Sequence, residues 1–179
     1  MRRNGIIGIC GLFALERAVA RLKPKFLISI VDPGVRIETP ENISTSRHLH
    51  LSMYDVHLPL REPGYPTEAH IRKLLECGAR WDARGTLLVH CTAAKSRSPA
   101  ALMILLAQQN PGAEMRIAQL ISRRLPQIAP NPVLIRIADR LLGCQGRLIE
   151  AANTVPIPTL NHFEGYASFH AKITLGEPR

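Results

Sequence analysis

At 179 residues the chain is long enough for one hydrophobic core and short for two domains. Hydrophobic residues at 46% and charged residues at 21% describe an ordinary globular protein, while aromatics at 4% supply too few rings for a module built on base stacking, so no specific nucleic-acid partner is expected. The 23 Lys and Arg against 14 Asp and Glu give +9, scattered with mild density at Arg2-Arg3, Lys23 to Lys25 and Arg123-Arg124. Such a balance is either a solvated basic surface or a field that draws anionic substrates.

Gly5 to Gly11 reads as a short buried strand and Leu12 to Leu22 as a helix. Arg2-Arg3, the apolar run from Ile6 to Leu15 and Ala18-Val19-Ala20 imitate a secretory leader, but glycines interrupt the run and Glu16-Arg17 precede the supposed cleavage site. Phe26 to Val31 is the clearest strand, ended by the turn Asp32-Pro33-Gly34. Residues 35–47 read as a loop, His48 to Val56 as a partly alternating strand, and Leu58 to Pro66, with its prolines and glycine, as loop.

From Thr67 to Ala83, apolar residues at Ile71, Leu74, Leu75, Ala79 and Trp81 have helical spacing, with Thr67 at the N-cap. Thr86 to His90 is the next strand, and Ser98 to Gln109 an almost wholly apolar helix. Pro111-Gly112 turns the chain into a helix through Arg124, Asn131-Pro132 starts another that ends at Gly143, and a last short helix covers Arg147 to Ala152. Strands alternating with helices, then an all-helical second half, predict an α/β sandwich with a mainly parallel central sheet. Residues 1–154 form the expected domain, and 155–179, where periodicity is lost, an appended tail, whether flexible, covering the site or pairing with another chain. No stretch approaches the ~18 apolar residues that cross a bilayer.

Cys10, Cys77, Cys91 and Cys144 show neither CxxC spacing nor histidines at zinc-like intervals, so neither metal nor cofactor is expected. Spread, unpaired cysteines suit a reducing compartment and a cytoplasmic protein. Cys10 in an apolar strand and Cys77 in a helix read as small core residues, whereas Cys144 after Gly143 carries no evident chemistry.

Cys91 is different. It ends a strand, a tight loop closes on Arg97, and Ser98-Pro99 open the next helix. Backbone N–H groups of a loop entering a helix favour negative charge, and a guanidinium grips two oxygens of a tetrahedral oxyanion. A thiol in that field is readily a thiolate nucleophile. In parallel sheets ligands bind beyond the carboxyl ends of the strands, where Cys91 lies.

The segment His90-Cys91-Thr92-Ala93-Ala94-Lys95-Ser96-Arg97-Ser98 resembles the active-site loop of cysteine-dependent protein tyrosine and dual-specificity phosphatases, HCxxGxxR followed by Ser or Thr. The order Val31-Asp32-Pro33, Tyr54-Asp55-Val56, this loop, and Pro130-Asn131-Pro132-Val133-Leu134 is similar to small bacterial tyrosine-phosphatase-like proteins, over roughly residues 5 to 152. Rhodanese-like sulfur transferases also place a cysteine at a strand end, but without the HC…RS frame.

The resemblance implies a phosphotyrosine-phosphatase-like fold and a hydrolase with a phosphocysteine intermediate. In it Cys91 attacks phosphorus, Arg97 binds two oxygens, and the N–H groups of Thr92, Ala93, Ala94, Lys95, Ser96 and Arg97 complete the cradle. Ser98 donates to the leaving sulfur, and His90 orders the loop from beneath. The general acid is an aspartate, for which Asp55 matches best; Asp32 at another strand end and Glu62 in the following loop are the alternatives.

Two positions depart from the pattern. Ala94 replaces the loop glycine, which strains the cradle by about 1 kcal/mol if φ is positive there. Lys95 either meets further phosphates, as in inositol-lipid phosphatases, or faces solvent. The expected partner is a phosphorylated protein or another anionic phosphomonoester. The other readings are a phosphoinositide or polyphosphate phosphatase and a catalytically weak phosphate-binding pseudophosphatase.

Overall fold

The computed structural model describes residues 5–58, 62–81, 83–156 and 165–170. Five strands, β1 (Ile6–Gly11), β2 (Phe26–Val31), β3 (His48–Ser52), β4 (Thr86–Cys91) and β5 (Tyr166–His170), form one sheet in the order β3-β2-β4-β1-β5. The first four run parallel, so Gly11, Val31, Ser52 and Cys91 end at one edge. Among the described residues six α-helices flank the sheet: α1 (Leu15–Leu22), α2 (Glu68–Trp81), α3 (Arg97–Gln109), α4 (Glu114–Arg124), α5 (Pro132–Leu142) and α6 (Arg147–Asn153).

Strand side chains alternate, and the two sheet faces bury two apolar clusters. Ile7, Ile9, Ile28, Ile30, Leu87, Val89 and Cys91 join the larger one, under α2 to α6. Cys10, Leu27 and Leu88 join the smaller one, with Leu15, Ala18 and Val19 of α1. Cys91 and its neighbour His90 therefore project from opposite faces. Helix α3 lies inside the larger cluster, buried continuously from Arg97 to Ala107. Its N-terminus, with unpaired N–H groups and positive dipole end, is thereby fixed at the edge where Cys91 emerges.

Local chemistry sets the helix ends. Asn131 Oδ1 accepts from Val133 and Leu134 N–H at 3.0 and 3.2 Å, Pro132 takes the first helical position, and Gly143 closes α5 in the left-handed region. Thr67 precedes α2 as expected, and its backbone N–H donates to His70 Nδ1 at 3.1 Å, so a histidine answers the cap where a glutamate commonly does.

Two expectations change. The strand foreseen from His48 to Val56 stops at Ser52, because Met53 N–H still bonds Val31 but Tyr54 N–H turns to the Gly64 carbonyl at 2.7 Å. The segment foreseen as a flexible tail contributes β5, which pairs antiparallel with β1 and makes the sheet mixed. Phe169 of β5 is buried in the larger cluster, and Arg124 of α4 lies over its ring and donates to the Ser168 carbonyl at 2.9 Å. A five-residue strand with one core residue leaves too short a period to read from sequence. The rest of 157–164 and 171–179 lies outside the described residues, as do 59–61 of the Pro-rich loop.

If β5 is integral to the core, Phe169→Ala lowers stability by about 3 kcal/mol in urea unfolding, the usual loss for a buried phenylalanine. A change below about 0.5 kcal/mol, typical of surface positions, would show that β5 is dispensable.

Candidate active site

Between β4 and α3 the loop is held by its carbonyls. Thr92 C=O accepts from Leu12 N–H at 3.0 Å, Lys95 C=O from Ala129 at 2.7 Å, and Ser96 C=O from Asn131 at 3.1 Å. Among the described residues, no N–H from 92 to 96 donates to a backbone carbonyl. The loop thus turns its carbonyls to the protein and leaves its donors for an anion. Gly11 permits the close approach of β1, since a Cβ there would sit 3.3 Å from Thr92 O. Ala94 has φ +54° and is buried, so the left-handed position expected of the family's glycine is present and alanine occupies it.

The Arg97 side chain, 4% exposed, is gripped from one side. Its Nη1 donates to Asp32 Oδ1 at 2.6 Å and to the Met53 carbonyl at 2.7 Å, and Nη2 donates to Thr92 Oγ1 at 3.2 Å. Nε is buried without a hydrogen-bond partner. Both protons of Nη1 are engaged, while Nε–H and one Nη2–H remain, which is the fork that suits two oxygens of a phosphate. Asp32, the alternative acid, therefore anchors the arginine through Oδ1.

Cys91 Sγ lies 3.1 Å from Ser98 Oγ, in the first turn of α3. Cys10, one strand over, faces away with its thiol pushed up to about 12 by burial and then by Cys91; it is inert at neutral pH. Cys77 and Cys144 are likewise buried and free, raised to about 11, chiefly by burial. His90 is buried on the α1 face, with Nε2 at 2.7 Å from Ser29 Oγ. Burial pulls its pKa down to about 4 against the opposing backbone of Cys91, and burial followed by His50 does the same to His48.

Asp55 stands over the loop. Its Oδ1 accepts from Ser96 Oγ at 2.6 Å and from Asn131 Nδ2 at 2.9 Å, and its Oδ2 lies 3.7 Å from Arg97 Nε. Two donors occupy Oδ1, which leaves Oδ2 without a hydrogen-bond donor closer than Arg97 Nε. Asp55, Arg97, Cys91 and Ser98 are brought together; Glu62 is exposed, its backbone C=O closing a turn with Tyr65. Lys95 is half-buried in the loop and pairs with no carboxylate among the described residues. Exposed Tyr54, edge-on to Tyr65 with ring centroids 6.5 Å apart, stands beside Asp55 in sequence.

Sequence reasoning missed the groups that hold these side chains. Ser96 and Asn131 were legible as loop and cap residues, but not as the two donors to Asp55. The signal that was available is Ser29, a lone hydroxyl in the apolar run Phe26–Val31.

In sequence, the chain matches no protein-family model and no curated protein. In structure it is similar to human DUSP28, with TM-score 0.59 and 18% identity over 78% of this chain and 92% of that one. It is also similar to the PTP-2 phosphatase of Cydia pomonella, with TM-score 0.61 and 17% identity over 78% and 87%. A third is PTPMT1 in complex with PI(5)P, with TM-score 0.54 and 17% identity over 80% and 90%. The chain therefore has the α/β fold of the tyrosine- and dual-specificity-phosphatase structures.

Ala94→Gly relieves a left-handed alanine and should raise stability by about 0.5–1 kcal/mol, net of the greater freedom of glycine in the unfolded chain. Urea unfolding measures it, and a loss of stability would mean that the Ala94 methyl contributes more by packing than its φ costs. The buried histidines make a second expectation. With folded pKa values near 4 against 6.5 unfolded, their contribution is complete above pH 6.5 and is lost as pH falls towards 4. Thermal unfolding at about pH 7 and about pH 5 should show a decline that is smaller in His48→Gln; an equal decline in both proteins would mean that His48 is not held neutral.

Proposed function

We propose that this protein is a phosphomonoester hydrolase of the cysteine-dependent type, acting on phosphotyrosine or phosphorylated Ser/Thr in proteins. The observation that carries the reading is the unpartnered Nε–H of Arg97 with the remaining Nη2–H, next to Asp55 and to a loop whose N–H groups from 92 to 96 donate to no backbone carbonyl among the described residues. The HC…RS frame and its order with Tyr54-Asp55-Val56 and Pro130-Asn131-Pro132 support it further, as does the fold.

In the proposed reaction Cys91, as thiolate, forms an S–P bond while the P–O bond to the leaving group breaks. Asp55 gives the proton on Oδ2 to the departing oxygen. Arg97 and the loop donors hold the three remaining oxygens, whose charge spreads in the transition state. Water then attacks phosphorus, Asp55 takes its proton, and Ser98 donates to the sulfur as the S–P bond breaks. Neither metal nor cofactor enters this scheme. All four cysteines are free, which fits a reducing compartment such as the cytoplasm. No helix among the described residues is long and apolar enough to cross a membrane.

A second reading, hydrolysis of a phosphoinositide or other polyphosphate, is favoured by Lys95 within the loop and by the PI(5)P in the PTPMT1 structure. A catalytically weak phosphate-binding protein is the reading favoured by Ala94.

Hydrolysis of p-nitrophenyl phosphate should be inhibited by vanadate and lost in Cys91→Ser. Asp55→Asn should lower kcat by about a hundredfold or more with KM little changed, the usual scale for a general acid. Wild-type turnover no higher than that of Cys91→Ser would reject hydrolysis in favour of phosphate binding alone. Unchanged turnover in Asp55→Asn would remove Asp55 from the acid role. Preference for phosphoinositides over phosphotyrosine peptides, abolished in Lys95→Ala, would establish the second reading.

A further inference from the structure

Among the described residues five large apolar side chains are exposed, and four of them, Phe13, Val35, Tyr54 and Leu58, gather at one edge of the sheet. The fifth, Met115, lies on α4. Each of the four stands in a connection that leaves the carboxyl end of β1, β2 or β3. Single exposed apolar residues are ordinary on a protein surface, whereas a group of them round one place marks a surface built for contact.

Short contacts tie each one to the phosphate loop or to what holds it. Leu12 N–H bonds the Thr92 carbonyl at 3.0 Å, which sets the wholly exposed Phe13 one residue from a contact with the loop. Val35 N–H closes a turn on the carbonyl of Asp32, the residue whose carboxylate holds Arg97. Tyr54 precedes Asp55, and Leu58 follows His57, whose Nε2 lies 3.4 Å from Ser96 Oγ.

Strand order gives this rim a length. β4 and β2 stand between β1 and β3, so the strands that deliver Phe13 and Tyr54 are roughly 14 Å apart. An extended peptide covers such a span in about four residues. Cys91 ends β4, and Arg97 is tied to Asp32 beyond β2, so a phosphorylated side chain enters midway. Its neighbours in sequence then fall on Phe13 to one side and on Val35, Tyr54 and Leu58 to the other.

The adjoining surface favours a peptide over a bilayer. A face that docks on anionic lipid sets its apolar residues among cations. Here Arg36, next to Val35, shares a surface cavity with Glu16, Glu38 and Glu41, so the rim borders carboxylates.

We propose that Phe13, Val35, Tyr54 and Leu58 form a specificity rim that selects phosphopeptides with apolar residues one or two positions either side of the phosphorylated residue. This rests on the reading of Cys91 and Arg97 as the phosphate site.

The test uses two fluorescently labelled phosphotyrosine peptides, one with leucines at the flanking positions and one with serines there. Fluorescence anisotropy with Cys91→Ser, which leaves the peptides intact, measures Kd, and the wild type supplies kcat/KM. The leucine peptide should bind about tenfold more tightly, the scale of one apolar side chain taken out of water, and kcat/KM should favour it likewise. Phe13→Ser combined with Leu58→Ser should remove most of that difference. The same pair of substitutions should leave kcat and KM on p-nitrophenyl phosphate unchanged, because that substrate is too small to span the rim. Both side chains are exposed, so urea unfolding of the double variant should match the wild type.

Equal Kd for the two peptides would overturn the proposal, as would equal binding of the leucine peptide without its phosphate. In that event, binding to vesicles of phosphatidylcholine and phosphatidylserine that the double variant loses would assign the rim to a bilayer. A dimer in light scattering that the double variant loses would assign it to a second copy of the chain. If the wild type fails to hydrolyse p-nitrophenyl phosphate, the proposed hydrolase is rejected, while the comparison of Kd still decides the role of the rim.

Discussion

A guanidinium out of water must be matched by acceptors or the fold does not close over it. Arg97 draws those acceptors from three places: the carboxylate after β2, the carbonyl after β3, and the threonine after β4. One side chain thereby ties together the ends of three strands that the sheet already brings to one edge. The same contacts decide which edge of the guanidinium is left over. The proposed phosphate site is thus positioned by the burial of its own arginine, so fold and site share one constraint.

The two aspartates near that arginine divide the work by geometry. Asp32 makes a direct, short contact with the anchored side of the fork, whereas Asp55 stands 3.7 Å from Nε and takes its hydrogen bonds from Ser96 and Asn131. The first carboxylate holds the arginine in place. The second is steered from the neutral side, so it keeps an oxygen for proton transfer in the proposed reaction. The departure of the chain from the sheet at Tyr54 makes this possible, because a β3 continued to Val56 would hold Asp55 in the plane of the strands.

Most elements of the first 153 residues were legible because they carry their own punctuation, Asp32-Pro33-Gly34 after β2, Asn131-Pro132 before α5 and Gly143 after it, whereas β3 lacks it and was expected to run on to Val56. The loop was legible because Cys91, Arg97 and Ser98 sit within a few residues of one another. The contacts of Asp32 with Arg97, of Asn131 with Asp55 and of Ser29 with two histidines were not, since they join residues dozens of positions apart. Strand register, which sequence does not display, decides that Ser29 stands beside His90. Strand β5 escaped for a different reason, having too few residues to show a period. The positive φ at Ala94 was foreseeable only as a condition, and the backbone supplies the answer.

Asn131 gathers separate duties into one amide. Its oxygen caps α5, its nitrogen holds Asp55 and the Val56 carbonyl, and its backbone N–H pins Ser96 of the loop. Aspartate would keep the cap but set a second carboxylate against Asp55, and serine would cap without reaching it. Glutamine has both atoms at the wrong length. A single change at Asn131 would therefore disturb three separate places at once, the start of α5, the carbonyl of Ser96 and the carboxylate of Asp55.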